Sequence, residues 1–240
     1  MPSMPPLLHL PKAFHRWRST WLDQSQNTWV RLFAWIDLYI LDHGFLRPFF
    51  NRPQEIAPGV WRSHQPSPRT LRRMHRHHQL KAVLNLRGDG STGYYMLEKE
   101  ACDRLGIQLI SQRVYSRAAP DPETIQSLKA IFSEIPKPFL LHCKSGADRA
   151  GMTAALFLLL ETDATPEVAL KQLSFRYLHI KQAKTGVLDA VLEQYLEHYR
   201  QDPIPFLSWV DQHYDHRAIE AQFKMQTWAK WLVDGILRRE

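Results

Sequence analysis

Cysteine is scarce in this sequence, since Cys102 and Cys143 are the only two among 240 residues. Two cysteines cannot build the disulfide framework of a small secreted domain, so we expect both to be free thiols in a reducing compartment. The first residues, MPSMPPLLHLPK, also lack the charged start and the continuous apolar core of a signal peptide. The sequence therefore predicts a cytoplasmic protein.

The sequence also lacks a long uncharged apolar run. Its most membrane-like stretch, residues 28–50, is interrupted by Arg31, Asp37, Asp42, His43 and Arg47. A transmembrane helix needs roughly 18 or more consecutive apolar residues with few or no charges. We therefore expect no membrane span, while a helix that lies on a membrane surface or packs on a core remains open.

Acidic residues are the minority among the charged ones. The chain has 24 Asp and Glu against 31 Lys and Arg, which gives a formal net charge of +7 and a pI near 9.5. This balance favours an anionic partner: a phosphorylated substrate, an anionic membrane surface in peripheral contact, or nucleic acid. No nucleic-acid-binding module is recognisable, so we do not expect a nucleic acid partner. An apolar content of 44% is enough for a buried core and excludes a disordered chain.

Short apolar runs alternate with helix-like segments from residue 59 onward. The runs predict strands at residues 59–63, expected at a sheet edge, and at residues 81–86, 106–110 and 138–143. Helical patterns lie between and after them, at residues 67–78, 93–105, 122–135, 149–161, 165–177 and 185–200. This alternation predicts an α/β fold with a mostly parallel sheet of about four to five strands, flanked by helices.

The two ends of the chain add further helices to this core. Residues 1–50 combine a Pro-rich arm with a long helical region at 17–46, and residues 201–240 form a helical extension beyond the central 51–200. Both ends are rich in tryptophan, with Trp29, Trp35, Trp209, Trp228 and Trp231. These side chains either pack the terminal helices on the core or belong to helices that lie on anionic lipid.

The stretch HCKSGADR, residues 142–149, connects a predicted strand to a predicted helix. Such a connection lies at the carboxyl edge of a parallel sheet, where ligands bind. Gly146 permits backbone geometry that a side chain would resist, and successive N–H groups in such a loop converge on an anion. The positive end of the following helix adds to this effect. The sequence therefore predicts a phosphate site made mainly of backbone.

A cysteine and an arginine complete this phosphate site. The thiolate of Cys143 would be stabilised by the same N–H groups and helix end, which would make it a nucleophile at neutral pH. Arg149 could hold two phosphate oxygens through its planar guanidinium. The pair predicts attack of sulfur on phosphorus, a thiophosphate intermediate, and hydrolysis of that intermediate by water.

Cys143-x5-Arg149 with His142 in front resembles the signature of the cysteine-based protein tyrosine phosphatase superfamily, most closely its compact bacterial dual-specificity branch. The stretches GVWRSHQP, residues 59–66, and VLNLRG, residues 83–88, are similar to the opening strands of that branch. The resemblance covers about residues 51–200 and implies a catalytic domain there. It implies that Cys143 is the nucleophile, that Arg149 stabilises the transition state, and that phosphate is bound by the loop backbone of Lys144, Ser145, Gly146, Ala147, Asp148 and Arg149. It implies no metal or other cofactor.

Two positions depart from the pattern of that superfamily. Ala150 stands where the family usually has Ser or Thr, whose hydroxyl helps the sulfur leave, so we expect slower breakdown of the intermediate. The general acid is open between two residues. Asp121 is the one aspartate between Asp103 and Cys143, but it could equally cap a helix. Asp148 lies inside the loop, and Cys-x2-Gly-x-Asp-Arg also resembles the signature of myotubularin-type phosphoinositide phosphatases, in which an aspartate at that position is implicated as the acid.

These observations predict a cysteine-dependent phosphomonoesterase, with phosphoproteins as the first expected substrate class by resemblance. A lipid or sugar phosphate at a membrane surface is the alternative, favoured by Asp148, the positive charge and the aromatic ends. A third hypothesis is a phosphate-binding module that has lost turnover, favoured by Ala150 and the open acid assignment.

Overall fold

The computed structural model describes residues 28–36, 50, 52–90 and 92–225. Its strands are β1 (Gln54–Ala57), β2 (Val60–Ser63), β3 (Ala82–Asn85), β4 (Gln108–Ser111) and β5 (Phe139–His142). They form one sheet in the order β1-β2-β5-β3-β4. The first pair, β1 with β2, is antiparallel, and the pairs β2–β5, β5–β3 and β3–β4 are parallel. The predicted mostly parallel sheet is confirmed.

Helices connect and cover these strands. In chain order they are α1 (Thr28–Ile36), α2 (Pro68–His78), α3 (Gly93–Leu105), α4 (Pro122–Glu134), α5 (Asp148–Glu161), α6 (Pro166–Leu170), α7 (Val187–Gln201) and α8 (Phe206–His213). A further helix, α9, includes residues 216–225. Most of the predicted helices are present within a few residues of their expected ends.

The sheet is buried on both faces because helices pack against each side. One face contributes alternate residues such as Leu84 and Leu141 to the main core, which also includes apolar side chains of α4, α5, α7 and α8. The opposite face contributes Val83 and Leu140 to a second cluster with residues of α2 and α3. Since side chains alternate across a strand, four-residue runs of apolar residues can supply both layers.

The helix that follows the HCKSGADR stretch lies in the centre of the main core. In α5 the nine consecutive residues from Ala150 to Leu158 are all buried, as expected for a helix that is apolar on every side. Gly151 allows a neighbouring segment to approach closely, since an added Cβ there would lie 2.8 Å from the carbonyl oxygen of Gln172. This packing fixes the first turn of α5 beneath the carboxyl edge of the sheet.

The structure corrects two predicted elements. Residues 59–63 do not form an edge strand, because β2 lies between β5 and an additional strand, β1, whose sequence QEIA carries no apolar alternation. Residues 165–177 are not one helix, because α6 ends at Leu170 and only a 3-10 turn, Phe175–Tyr177, follows. The chain leaves the helical path where the carbonyl oxygen of Gln172 accepts a hydrogen bond from Arg62.

The terminal regions are described in part. Trp209 of α8 is buried in the main core against Tyr195, Phe206 and Tyr214. Of the long helical region predicted at residues 17–46, the part from Thr28 to Ile36 is helical and the rest lies outside the described residues, as do Trp228 and Trp231. In the part of the chain that is described, no helix combines the length and apolarity needed to cross a membrane.

Candidate active site

The loop of residues 143–149, here called the cysteine loop, joins β5 to α5 at the carboxyl edge of the sheet. The last residues of three neighbouring strands, Ser63, Asn85 and His142, lie side by side in register at this edge. Cys143 follows directly, so the central strand of the sheet sets its position. Loops at this edge are the usual ligand sites of parallel sheets.

The cysteine loop turns back toward the sulfur of Cys143. Gly146 has a left-handed φ of 77°, a conformation that favours glycine, and its N–H donates to Sγ of Cys143 at 3.2 Å. The Cys143 side chain is buried at the base of the loop. A backbone donor on the sulfur and the N-terminal end of α5 both stabilise negative charge there.

The remaining loop side chains differ in exposure. Arg149 is half-buried, and within the described residues its guanidinium has no hydrogen-bond partner from the protein. Ser145 is exposed, and its Oγ accepts from the N–H of Ala147 at 3.4 Å. Lys144 is half-buried, and its carbonyl oxygen accepts from the N–H of Gln65 at 3.2 Å. Arg149 is therefore free to bind an oxyanion, while the backbone of the loop is anchored to the segment after β2.

Arg62 of β2 holds the cysteine loop from behind. Its Nη2 donates to the carbonyl oxygens of Gly146 at 2.7 Å and Ala147 at 3.2 Å. Its Nη1 donates to the carbonyl oxygen of Gln172 at 2.8 Å, and the guanidinium stacks 3.7 Å from the ring centre of Tyr177. Burial lowers the pKa of Arg62 to about 10, so the side chain remains charged at neutral pH.

Arg62 also determines the direction of the peptide groups in the loop. The C=O and N–H of a trans peptide unit point in opposite directions. Because the carbonyls of Gly146 and Ala147 point to Arg62, the N–H groups of Ala147 and Asp148 point to the other side. The sequence-based interpretation missed Arg62, although a cation inside a strand that is otherwise apolar was an available signal.

His142 is enclosed beneath the loop. Its Nε2 lies 2.8 Å from Oε1 of Glu98 in α3, and its Nδ1 lies 3.3 Å from the carbonyl oxygen of Cys143. Both His142 and Glu98 are almost fully buried. These contacts connect α3 to the start of the cysteine loop, so the ring of His142 has a structural position beneath it.

Asp148 contacts a buried histidine that the sequence did not single out. Its Oδ1 lies 2.7 Å from Nδ1 of His179, and Nε2 of the same ring lies 2.6 Å from Oδ2 of Asp189 in α7. Burial disfavours the charged ring, but the hydrogen bonds that the ring donates to Asp148 and Asp189 outweigh it and raise the pKa of His179 to about 9. At neutral pH the ring is an imidazolium that donates to both carboxylates.

Asp121 has different surroundings. It is the N-cap of α4, and its Oδ1 accepts from the N–H of Thr124 at 2.7 Å. Hydrogen bonds from Thr124 lower the pKa of Asp121, so a smaller fraction of its carboxyl group carries a proton to donate at neutral pH. Within the described residues, no hydrogen bond connects Asp121 to the cysteine loop.

The segment that carries Asp121 is attached to the C-terminal region instead. The hydroxyl of Tyr214 donates to the carbonyl oxygen of Pro120 at 2.7 Å, and the N–H of Ala119 donates to Glu220 of α9 at 3.0 Å. A cavity of about 300 Å³ lies between this segment and α9, and its lining includes Asp121 and His216. The structure therefore brings Cys143, Asp148 and Arg149 together and places Asp121 against the C-terminal helices.

Comparison with known families now identifies the kind of protein that carries this site. The family model described as "DSP-PTPase phosphatase fused to NAD+ Kinase" matches residues 50–186, more than half of the chain. The chain belongs to this phosphatase family. The resemblance of HCKSGADR to cysteine-based protein tyrosine phosphatases is confirmed by this match. Among curated protein sequences, none matches the chain.

Three solved structures are similar to part of this chain. TpbA of P. aeruginosa has a TM-score of 0.50 and 18% identity over 64% of this chain and 91% of its own. The core catalytic domain of the PP-IP phosphatase SIW14 from S. cerevisiae has a TM-score of 0.48 and 15% identity over 65% of this chain and 98% of its own. Tk-PTP has a TM-score of 0.46 and 21% identity over 61% of this chain and 97% of its own. The similarity to TpbA shows that this chain has the same fold as TpbA.

Two further positions of this phosphatase bear on its chemistry. Ala150 is fully buried in the first turn of α5, so the position after Arg149 offers no hydroxyl to the cysteine loop. Cys102 is fully buried in α3, and burial raises the pKa of its thiol. Of the two cysteines, Cys102 is therefore held as a thiol, while Cys143 has a backbone donor on its sulfur.

Proposed function

We propose that this phosphatase hydrolyses phosphomonoesters through a phosphoryl group carried on Cys143. The observation that carries the proposal is the cysteine loop itself: Gly146 N–H donates to Sγ at its base, and buried Arg62 fixes its carbonyls on the opposite side. Preorganised donors of this kind stabilise developing negative charge because they need no rearrangement during the reaction.

In the first step the Cys143 thiolate attacks phosphorus. The S–P bond forms, the bond from phosphorus to the ester oxygen breaks, and the ester oxygen takes up a proton from a protein acid or from solvent and departs as the alcohol or phenol. Arg149 holds two of the three remaining phosphoryl oxygens through its guanidinium, and the loop N–H groups hold the third. In the second step water attacks the same phosphorus, the S–P bond breaks, and phosphate and the thiolate are released.

Phosphotyrosine in proteins is the first substrate class that we propose for this site. The fold is shared with TpbA, which has been crystallised in complex with pTyr. A phosphotyrosine peptide should therefore release phosphate, and phosphoserine and phosphothreonine peptides test dual specificity. Peptide turnover far below that of a small aryl phosphate would count against a protein substrate.

A phosphorylated lipid is the second candidate, because one segment beside the cysteine loop exposes apolar side chains. Phe175, Leu178 and Ile180 are 75%, 41% and 51% exposed, and they flank His179, which contacts Asp148. Apolar side chains on a positively charged protein are the usual contacts of a peripheral enzyme with anionic lipid.

The lipid proposal is tested by comparing phosphate release from phosphoinositide vesicles with release from the soluble headgroup. A lipid phosphatase should prefer the vesicle, and Phe175→Ser should reduce that preference while turnover of 4-nitrophenyl phosphate stays unchanged. Equal rates on vesicle and headgroup in both proteins would remove the lipid proposal.

The proposed mechanism is tested with 4-nitrophenyl phosphate, using Cys143→Ser and the matched control Cys102→Ala. We expect Cys143→Ser to lose turnover and Cys102→Ala to retain it, since only the first removes the nucleophile. Turnover in Cys143→Ser would refute the mechanism. Wild-type protein that binds phosphate and releases none from any substrate would instead support a phosphate-binding module.

A further inference from the structure

A buried histidine between two carboxylates is the most unusual polar feature outside the cysteine loop. His179 is 2% exposed and Asp189 is 3% exposed. The ring is brought to this place by a turn in which Leu178 has a left-handed φ of 61°, a conformation that non-glycine residues adopt at a cost. The N–H of His179 then donates to the carbonyl oxygen of Ser174 at 3.2 Å. Both the backbone and the ring of His179 are thus fixed.

The charges around the ring determine which protons it carries. Within the described residues, the charged groups that face it are Asp148 from α5 and Asp189 from α7. Both ring nitrogens lie within hydrogen-bond distance of a carboxylate oxygen, so both are donors in the protonated ring. Charge-assisted hydrogen bonds are shorter and stronger than neutral ones, so an imidazolium holds both carboxylates firmly in place.

Asp148 is partly exposed. Its side chain is 25% exposed, and its Oδ1 is the oxygen that receives the ring N–H. Within the described residues, its second oxygen has no hydrogen-bond partner. Asp148 is therefore an oriented carboxylate in the loop that holds phosphorus, and it lies at the start of the helix that also carries Arg149.

We propose that His179 and Asp189 are positioning residues that hold Asp148 as the carboxylate that accepts a proton from the hydrolytic water. This inference rests on the proposed cysteinyl-phosphate mechanism and assigns its second step. Asp189 fixes the ring, the ring fixes Oδ1 of Asp148, and the other oxygen faces the water. Because Ala150 supplies no hydroxyl to assist the departing sulfur, the second step depends on this carboxylate.

The water O–H proton moves to the second oxygen of Asp148 while the water oxygen bonds to phosphorus. The S–P bond breaks, and its electron pair returns to Cys143 as a thiolate. Asp148 then releases the proton to solvent, and His179 keeps its own two ring protons throughout. Loss of one ring proton at high pH leaves a single N–H between Asp148 and Asp189, which weakens the hold on Asp148, so the second step should slow as pH rises.

The test measures the fraction of Cys143 that carries phosphate during steady-state turnover of 4-nitrophenyl phosphate, together with the turnover rate. This substrate has a good leaving group, so its first step does not need a protein acid. In His179→Gln and Asp189→Asn, we expect turnover to fall by roughly 10²-fold while the phosphorylated fraction rises. His216→Gln, which changes the histidine beside Asp121, should behave like wild type. A fall in turnover with an unchanged or smaller phosphorylated fraction would overturn the proposal.

Two further readouts separate positioning from general damage to the fold. In wild type, hydrolysis of the cysteinyl phosphate should decline as pH rises through about 9. Asp189→Asn should move this decline to lower pH, because the variant replaces one of the two carboxylates that raise the pKa of His179 with a neutral amide. In an Asp148→Asn background, His179→Gln should cause no further loss, and a further loss would show that His179 does not act through Asp148.

Failure of the underlying mechanism gives a different result. If no variant, including wild type, carries phosphate on Cys143, the cysteinyl-phosphate mechanism itself is wrong. If Cys143 is phosphorylated in all of them and the fraction is the same, the mechanism stands and the positioning role is wrong.

Discussion

Asp148 and Asp121 both lie at the start of a helix, yet their surroundings differ in kind. Asp148 begins α5 and receives a hydrogen bond from His179, which is 31 residues later in the chain and buried in the core. Asp121 caps α4 and receives its hydrogen bond from Thr124, three residues later. The segment before Asp121 is held by Tyr214 and Glu220, which lie about a hundred residues later in the chain. These two residues belong to the C-terminal region and not to the cysteine loop.

This difference shows that a helix-starting aspartate can serve two purposes that look alike in sequence. The capping role of Asp121 needs only local backbone N–H groups. The role proposed for Asp148 needs a fixed orientation, which comes from the distant residues His179 and Asp189. The contacts of each aspartate, rather than its distance along the chain from Cys143, distinguish the two roles.

The largest expected effect separates the two aspartates directly. Asp148→Asn should reduce turnover of 4-nitrophenyl phosphate by about 10²–10⁴-fold, because it removes the proton acceptor without changing the size of the side chain. Asp121→Asn should change turnover little, since Asn also caps helices well. Steady-state kinetics of the two variants checks this prediction, and a large loss in Asp121→Asn alone would reverse the assignment.

The next effect concerns the support of the cysteine loop. Arg62→Met should destabilise the fold by about 3 kcal/mol, because the carbonyls of Gly146, Ala147 and Gln172 lose a buried charged donor. It should also weaken inhibition by phosphate, since the loop loses its shape. Denaturant unfolding and phosphate inhibition measure the two results. Arg217→Met, which changes an exposed arginine at the cavity beside Asp121, is the matched control.

A smaller effect should appear in the pH dependence of stability. The pKa of His179 is raised from 6.5 to about 9 in the folded protein, so its contribution to stability is complete below pH 6.5 and is lost as pH rises through 9. Thermal unfolding of wild type should therefore show a falling midpoint over this interval. The fall should be smaller in His179→Gln, and equal slopes in the two proteins would contradict the protonated state of the ring.

The smallest effect should come from the attachment of the segment before Asp121. Tyr214→Phe removes one hydrogen bond to Pro120 and keeps the packed ring, so we expect a loss of about 1 kcal/mol in unfolding free energy. Turnover should remain that of wild type. A marked loss of turnover with this small loss of stability would indicate that the segment of Asp121 takes part in catalysis.

Much of the fold follows from local patterns in the sequence. The apolar runs at residues 81–86 and 138–143 are strands, and the HCKSGADR stretch lies at the carboxyl edge of the sheet, as the patterns predict. The strand β1 was not predictable from apolar periodicity, because QEIA has none and forms only by pairing with β2. Long-range pairing of this kind leaves no local pattern.

The site was predictable only for the residues within the loop. Arg62 and His179 contact the loop from β2 and from the turn after Tyr177, and Asp189 of α7 contacts His179. The cation within β2 is a local signal for Arg62, but the residues next to His179 and Asp189 do not indicate a partner so far along the chain. Burial of each charged group becomes informative only when its partner is known, since an isolated buried charge would be costly.

The roles of both aspartates depend on Cys143 carrying the phosphoryl group. The most direct measurement is therefore to quench the enzyme with acid during turnover and to analyse its peptides by mass spectrometry. We predict one phosphoryl group on the peptide that contains Cys143, and none on the peptide that contains Cys102. Active enzyme with no phosphoryl group on Cys143, or with the group on another residue, would contradict the mechanism.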